Sequence, residues 1–422
     1  QPVLLRRSCD CRTNMNSLHR NLIAFWIFGL CNNYAYVVML SAADDLLKEL
    51  SNLGNGVVVD DFIFRNEAGR TCNKVSTGVI LLANSLPGLA SKLVAPYLNL
   101  GTTISVSITV LMSATSFALV GLSQASWQTF TGVAFASMAS SFGEVTFLRY
   151  SANFNRNVVS TWSSGTGGAG IFGSLSYALF RQVGLSSRDS ILIMLVMPAT
   201  MQLTYLFLLV KPQHSGDVSN GVERDTTYDA QRDEPRHLTE GMQTEVPKLP
   251  FKQKLKLLPE VLPYMIPLTT VYYCEYLINQ GILDVLYSED VNLTQGGQYR
   301  WYQTLYQTGV FISRSSINFF SISRLWVPAA LQAINMVIFI LDGYYLFISS
   351  FWITAVLVLY EGFLGGFAYV NTYYKIASRV PREKKDATTG MTAISDSIGI
   401  TSAAFSAIPL HNSICQFIGQ GR

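Results

Sequence analysis

Apolar stretches of membrane-spanning length recur along this chain from residue 22 to residue 410. A helix needs about 20 mostly apolar residues to cross the hydrocarbon core of a bilayer. The pattern predicts eleven such helices, over 22–42, 75–97, 103–122, 127–148, 162–181, 189–210, 261–286, 300–320, 325–346, 350–374 and 387–410. Several are interrupted by Asn, Gly, Pro or a charge. One long hydrophilic stretch, 211–258, breaks the series into six spans and five. It carries eight basic and eight acidic residues with Pro and Gly, a composition that cannot bury a core. It reads as a linker. Its end, Phe251-Lys-Gln-Lys-Leu-Lys-Leu-Leu258, alternates bases with apolar residues. That end fits a short interfacial helix and equally the basic stop before the seventh span.

This divides the chain into a leading segment 1–21, a six-helix half 22–210, the linker 211–258 and a five-helix half 259–422. The expected fold is an all-α polytopic membrane protein. Two helical halves around a central linker is the layout of major-facilitator-like carriers, although no internal sequence repeat is visible.

Composition agrees. Of 422 residues, 49% are hydrophobic and 14% charged, and mean hydropathy is +0.28. A soluble domain carries roughly 25% charged residues. The net charge of +3 is small, and no basic stripe interleaved with aromatics suggests nucleic acid. No CxxC pair occurs among the six cysteines, and a disulfide framework is not expected. The four histidines are scattered, so membrane di-iron or zinc chemistry is not expected.

Loop charge sets an expected orientation. With the N-terminus cytosolic, the short cytosolic segments hold thirteen Lys and Arg residues, and the short lumenal loops hold three, Arg181, Arg188 and Arg300. The sequon Asn292-Leu-Thr294 then falls in a lumenal loop, as a glycosylation acceptor must. Trp26, Trp127, Trp162, Trp301, Trp326 and Trp352 open predicted spans, where interfacial aromatic belts sit.

An ionisable side chain inside the bilayer costs about 2.5–3.5 kcal/mol on the insertion scale, and marks function or a partner. The candidates are Lys92, Glu144, Glu275, Arg314, Glu361 and Asp396. In a major-facilitator arrangement the first, fourth, seventh and tenth helices line the path. Glu144, Glu275 and Glu361 lie on three of these, and the first offers Asn32, Asn33, Tyr34 and Tyr36. Asn279, Tyr302, Tyr306 and Gln307 add amides and phenols as lining candidates, because such groups must face partners, water or ligand. Glu275, Glu361 and Asp396 are candidates for coupling proton movement to transport. The alternative for the carboxylates is an interhelical ion pair, Glu275 or Glu144 with Lys92 or Arg314.

Trp162-Ser-Ser-Gly-Thr-Gly-Gly-Ala-Gly170 contains a GxGxxG match. No strand precedes it and no acidic residue follows at dinucleotide-binding spacing. Close helix packing is the favoured reading, with a phosphate on its backbone amides as the alternative.

Several of these stretches resemble the battenin family, named for the lysosomal membrane protein of Batten disease, a neuronal ceroid lipofuscinosis. The resemblance rests on Leu30-Cys-Asn-Asn-Tyr-Ala-Tyr-Val-Val-Met-Leu-Ser-Ala-Ala43, Phe142-Gly-Glu-Val-Thr-Phe-Leu148 and the glycine-rich Trp162–Gly170 run. Glu275-Tyr-Leu-Ile-Asn-Gln-Gly281, Tyr299-Arg-Trp-Tyr-Gln303, Ser313-Arg-Ser-Ser316, Tyr360-Glu-Gly-Phe-Leu-Gly-Gly366 and Ala368-Tyr-Val-Asn-Thr372 extend it along the chain. It identifies the chain as a member from a non-mammalian animal.

The resemblance implies a major-facilitator-like fold, a late endosomal and lysosomal membrane, and export of glycerophosphodiesters left by phospholipid breakdown. It implies no cofactor. A phosphodiester wants one or two cations and many hydrogen-bonding groups, which makes Lys92 and Arg314 the candidate anion receptors. Mammalian members end in a prenylation signal, whereas here Cys415-Gln-Phe-Ile418 is followed by four more residues. The alternatives are a carrier of basic amino acids or nucleosides affecting lysosomal pH, and a non-transporting scaffold with trafficking partners on 211–258. No enzyme is expected.

Overall fold

The computed structural model describes residues 2–53, 62–65, 71–73, 76–95, 98, 100–151, 154, 157–211, 251–315, 322 and 324–419. Each of the eleven predicted spans overlaps helix among its described residues. The first half holds α1 (Pro2–Ser41), α2 (Ala43–Leu53), α3 (Gly78–Val94), α4 (Thr102–Gly121), α5 (Ser126–Ser151), α6 (Asn157–Gln182), α7 (Ser187–Ile193) and α8 (Val196–Leu203). The second holds α9 (Phe251–Gly281), α10 (Gln295–Ser315), α11 (Trp326–Tyr345), α12 (Phe351–Arg379), α13 (Arg382–Thr392) and α14 (Ile394–Gly419). Strands β1 (Phe62–Arg65) and β2 (Thr71–Asn73) pair antiparallel between α2 and α3.

Among the described residues, six helical spans are long and apolar enough to cross a membrane: Ser17–Ser41, Thr102–Gly121, Ser187–Leu208, Trp326–Tyr345, Phe351–Ile376 and Ala387–Gly419. The apolar α3, Gly78–Val94, is shorter than these. The remaining rods, α5, α6, α9 and α10, are long enough but more polar. Their polar side chains are spent on other helices, which is where a bundle can satisfy them.

Helices alternate in direction, so the bundle has two faces. One, the N-terminal face, carries the start of α9 and the ends of α3, α5, α10 and α12. The opposite face carries α2, the β-hairpin, the end of α9 and the start of α10. In the first half α1 packs on α6, and α5 on α3 and α4; in the second α10 packs on α12 and α9 on α14. The halves meet chiefly where α6 lies on α10 and α3 on α14. Leu40 and Leu81 of the first half share a buried cluster with Leu268, Val271, Ala403 and Ala407 of the second.

Glycine explains the closest approaches. A Cβ at Gly165 would overlap the Trp26 carbonyl, and one at Gly29 the Trp162 carbonyl, so α1 and α6 touch backbone to backbone. Gly309 and Gly362 do the same for α10 and α12. The glycine run therefore serves packing. It also lies well inside α6, which starts at Asn157. Its amides are past the first turn and engaged in the helix, which removes the phosphate alternative.

Other expectations are corrected here. The sixth span is not one α-helix: α7 and α8 run into a π turn at Thr204–Leu208. The eleventh breaks between α13 and α14. The predicted end of the eighth span, 316–320, lies outside the described residues, as does linker 212–250. Phe251–Leu258 is the continuous start of α9 rather than a separate element. Trp127, Trp326 and Trp352 are exposed, as a lipid-facing belt requires, but Trp162 is buried against Phe147. Cys72 and Cys415 form a disulfide across 343 residues, although none was expected. Their distance in sequence hid the pair, and the fold brings β2 onto the end of α14. Cys415 is thereby removed as a prenylation acceptor.

Candidate functional site: a polar layer between the two halves

Two sets of polar side chains lie inside the bundle, one buried at its middle and one half-buried. The first is built on α9, α10 and α12. Glu275 and Asn279 stand one turn apart on α9 and so share a face. Glu275 and Glu361 are 2% and 0% exposed. Tyr306 of α10 donates to Glu275. The Asn279 amide donates to Glu361 at 2.8 Å and accepts from Gln303 at 3.1 Å. Gly365, one turn beyond Glu361 on α12, gives the Glu275 carboxyl its room, since a Cβ there would collide with it. Glu361 lies ten residues into α12, about 15 Å along the axis.

Arg314 adjoins this set. Its guanidinium reaches the Tyr272 hydroxyl at 3.4 Å and sits 4.5 Å from the centre of the Tyr369 ring, a cation–π geometry. Tyr272 stacks on Tyr276, and the Tyr276 hydroxyl accepts from Tyr36 of α1 at 3.5 Å. The aromatic run thus leads from Arg314 across to the first half.

The second set lies toward the N-terminal face. Lys92 of α3 pairs with Glu144 of α5 at 3.1 Å and with Asp396 of α14 at 3.6 Å. The ion-pair alternative is what the geometry adopts for Lys92 and Glu144. Asp396 makes it a bridge between halves.

Not every candidate joins these sets. Asn33 accepts from Ser140 at 2.8 Å, inside the α1–α5 contact. Gln307 packs into the space left by Gly170 where α10 meets α6. Tyr302 stacks on Phe351 at 5.1 Å within the apolar core of the second half. Its hydrophobic body goes to packing, a choice that spacing alone does not reveal. Gln303, one position on, supplies the amide instead. Asn292 is exposed in the α9–α10 connection.

The opposite face carries polar bridges that charge counting assigned to loops. Asp45 of α2 accepts from Arg300 of α10 at 2.8 Å on both oxygens and from Tyr177 of α6 at 2.8 Å. Arg181 stands 3.4 Å away. The Tyr299 hydroxyl donates to the Leu40 carbonyl at 3.1 Å and to Gln280 at 2.9 Å. Thr77, just before α3, donates to Asp284 at 3.1 Å, and Asp284 pairs with His411 of α14 at 3.3 Å. Acidic residues at the edge of apolar runs were the available signal.

Among the described residues no group of three or more His, Cys, Asp or Glu could hold a metal ion. The layer gathers carboxyls, amides and phenols between two halves that ion pairs join at both faces.

Known proteins place this fold and sequence. A solved transporter of the POT family, in complex with 5-aminolevulinic acid, superposes with a TM-score of 0.63 over 95% of this chain and 93% of that one at 11% identity. The fold is therefore that of major-facilitator-type transporters. Battenin of Canis lupus familiaris is 40% identical over 408 residues, covering 94% of this chain and 92% of the relative. Protein BTN1 of Yarrowia lipolytica is 33% identical over 422 residues, covering 96% and 97%. The family model described as "CLN3 protein" matches residues 23–417, and the chain, a multi-pass membrane protein, belongs to that battenin family.

Proposed function

We propose that the chain is a lysosomal membrane transporter that exports small polar solutes, glycerophosphodiesters foremost, by alternating access of its two halves, 22–210 and 259–422. The observation that carries the reading is a contrast between two half-buried cations. Lys92 is neutralised by Glu144 and Asp396. Arg314 makes no ion pair within 4 Å among the described residues, and its guanidinium meets the Tyr272 phenol and the Tyr369 ring. Its charge is left for a ligand, and its planar fork suits a phosphate. Tyr306, Asn279 and Gln303 offer hydrogen bonds for hydroxyls beside it.

Glu275 and Glu361 are the groups we assign to proton coupling. Asp396, bound to Lys92, is assigned to holding the halves together. The orientation with a cytosolic N-terminus is supported by two features of the opposite face. Asn292 is exposed there, and the Cys72–Cys415 disulfide belongs in an oxidising compartment. That face is then lumenal, and linker 211–258 is cytosolic, where trafficking partners would meet it.

The test is flux of labelled glycerophosphodiester in proteoliposomes. Arg314→Gln is expected to lower flux about tenfold or more, the scale of losing a charge-assisted hydrogen bond. Lys92→Ala is expected to lower it less. Undiminished flux in both variants overturns the anion-receptor assignment. The carboxylates Glu275 and Glu361 favour a second reading, a basic amino acid as solute. Flux of labelled lysine without glycerophosphodiester flux would establish that reading instead.

A further inference from the structure

The carboxyls of the central layer are not the only buried titratable groups where the halves meet. His411 and Asp284 are both fully buried on the opposite face, away from the polar layer. Three elements converge on them. Asp284 follows the end of α9, and His411 lies on α14, both in the second half. Thr77 opens α3 in the first half, and its hydroxyl and backbone N–H reach Asp284 at 3.1 and 3.4 Å. The same hydroxyl also reaches the Gln280 carbonyl at 2.8 Å. The imidazole is held on both sides: Nδ1 is 3.3 Å from Asp284 and Nε2 is 3.5 Å from the sulfur of Cys415. That sulfur is bonded to Cys72 of the first half.

We propose that the His411–Asp284 pair is a proton-binding site that fastens the two halves together on this face when that side is acidic. Protonated, the imidazolium neutralises the buried carboxylate, and Thr77 is left bonded to a neutral pair. Deprotonated, the imidazole is neutral, and a net negative charge on Asp284 remains in a dry junction. Such a charge is stabilised by water, and water reaches it only if α3 parts from α9 and α14. Protonation therefore tightens the junction, and loss of the proton relaxes it.

The surrounding groups do not substitute for His411. On α10, the Tyr299 phenol is committed to Gln280 and Leu40, and Gln295 donates to the Asp284 main-chain carbonyl at 2.7 Å. On α2, Asp44 is paired with Lys48, and Asp45 with Arg300 and Arg181. On α11, Asp342 accepts from the Ile348 N–H at 2.8 Å. No second cation therefore competes for Asp284 among these neighbours.

The site sits at one face, so a proton taken up there is released to the same side when the junction reopens. It regulates closure and is not carried across. That separates it from the coupling role assigned to Glu275 and Glu361. On the orientation given above, lumenal acid would close the lumenal side.

The test uses the full chain in lipid nanodiscs and needs no substrate, so it stands apart from the fate of the transport reading. Hydrogen exchange, corrected for intrinsic rates, is compared at about pH 5 and about pH 7.5. Peptides over 76–86 and 282–290 should be protected about fivefold or more in acid, the lower end of ordinary coupling. His411→Gln should abolish the difference, and Asp284→Asn should too while leaving Thr77 an acceptor. If His411→Gln does not elute as a folded protein, Asp284→Asn carries the comparison. Equal protection of the unaltered protein at the two pH values overturns the proposal, as does a difference that persists in either folded variant.

Discussion

Gly365 is a single missing methyl group with a defined consequence. The Glu275 carboxyl occupies the space that a side chain at 365 would take. Gly365→Ala must push Glu275 off Tyr306 or spread α12 from α9. Overpacking of this kind costs about 1–3 kcal/mol, and the expected outcome is a lowered thermal-denaturation midpoint together with reduced flux. Glu361→Gln is the gentler change, because an amide oxygen still accepts from Asn279. It should preserve the midpoint and flatten the dependence of flux on a pH gradient, measured in proteoliposomes with the inside pH varied. A flux that keeps its full pH dependence would remove Glu361 from the coupling role. At this scale the sequence was informative about which charges lie inside the bundle, since Glu275, Glu361, Lys92 and Arg314 are charges within apolar runs, the first two buried and the others half-buried. It was silent about pairing. Lys92 could have met any of several carboxylates, and only the crossing of α3, α5 and α14 selects Glu144 and Asp396.

Elements follow from residue patterns wherever one face of a helix meets lipid. The apolar runs of α4, α11 and α12 fixed those spans within a few residues. Helices whose faces all meet other helices are less legible, because their polar side chains are satisfied internally and dilute the hydropathy signal; α10 is the extreme, with Gln298, Tyr299, Tyr302 and Gln303 all buried. Its predicted range is displaced toward the C-terminus for that reason. The α1–α6 contact shows the opposite case, where small residues announce packing directly. Gly165 and Gly29 meet the partner backbone, so a larger residue cannot be accommodated by a side-chain shift. Gly165→Leu is expected to separate the two helices and to yield protein that aggregates in detergent, read as loss of the monodisperse peak in size-exclusion chromatography. Gly390, with nothing near its Cβ position, is the control: Gly390→Leu should elute normally.

The whole molecule is two halves fastened at both faces, and the fastenings differ in kind. Toward the N-terminal face the described bridge is Lys92 with Glu144 and Asp396. The opposite face has the Asp45–Arg300 bridge, the Tyr299 and Thr77 bonds, and the Cys72–Cys415 link. The disulfide joins the hairpin before α3 to the end of α14, and α3 and α14 already pack together. It therefore ties the halves covalently at one edge while leaving the α6–α10 edge held by non-covalent contacts. While the His411–Asp284 junction is closed, opening on this face should occur like a door hinged at the disulfide, with Asp45, Arg300 and Arg181 as the latch. Arg300 and Asp45 are 13% and 9% exposed, dry enough that breaking the pair by removing one partner costs about 3 kcal/mol. Asp45→Asn should release the latch and shift the population toward the state open on this face. A cysteine placed at Ser187, which bonds Tyr177 behind the latch, should then react faster with a membrane-impermeant thiol reagent than in the parent. Removing the hinge by Cys72→Ser should instead raise mobility at the α3–α14 edge and lower the thermal midpoint, without the same selective gain at 187. Equal labelling at 187 with and without Asp45 would show that the α6–α10 edge does not open, and the hinge would have to be placed there instead.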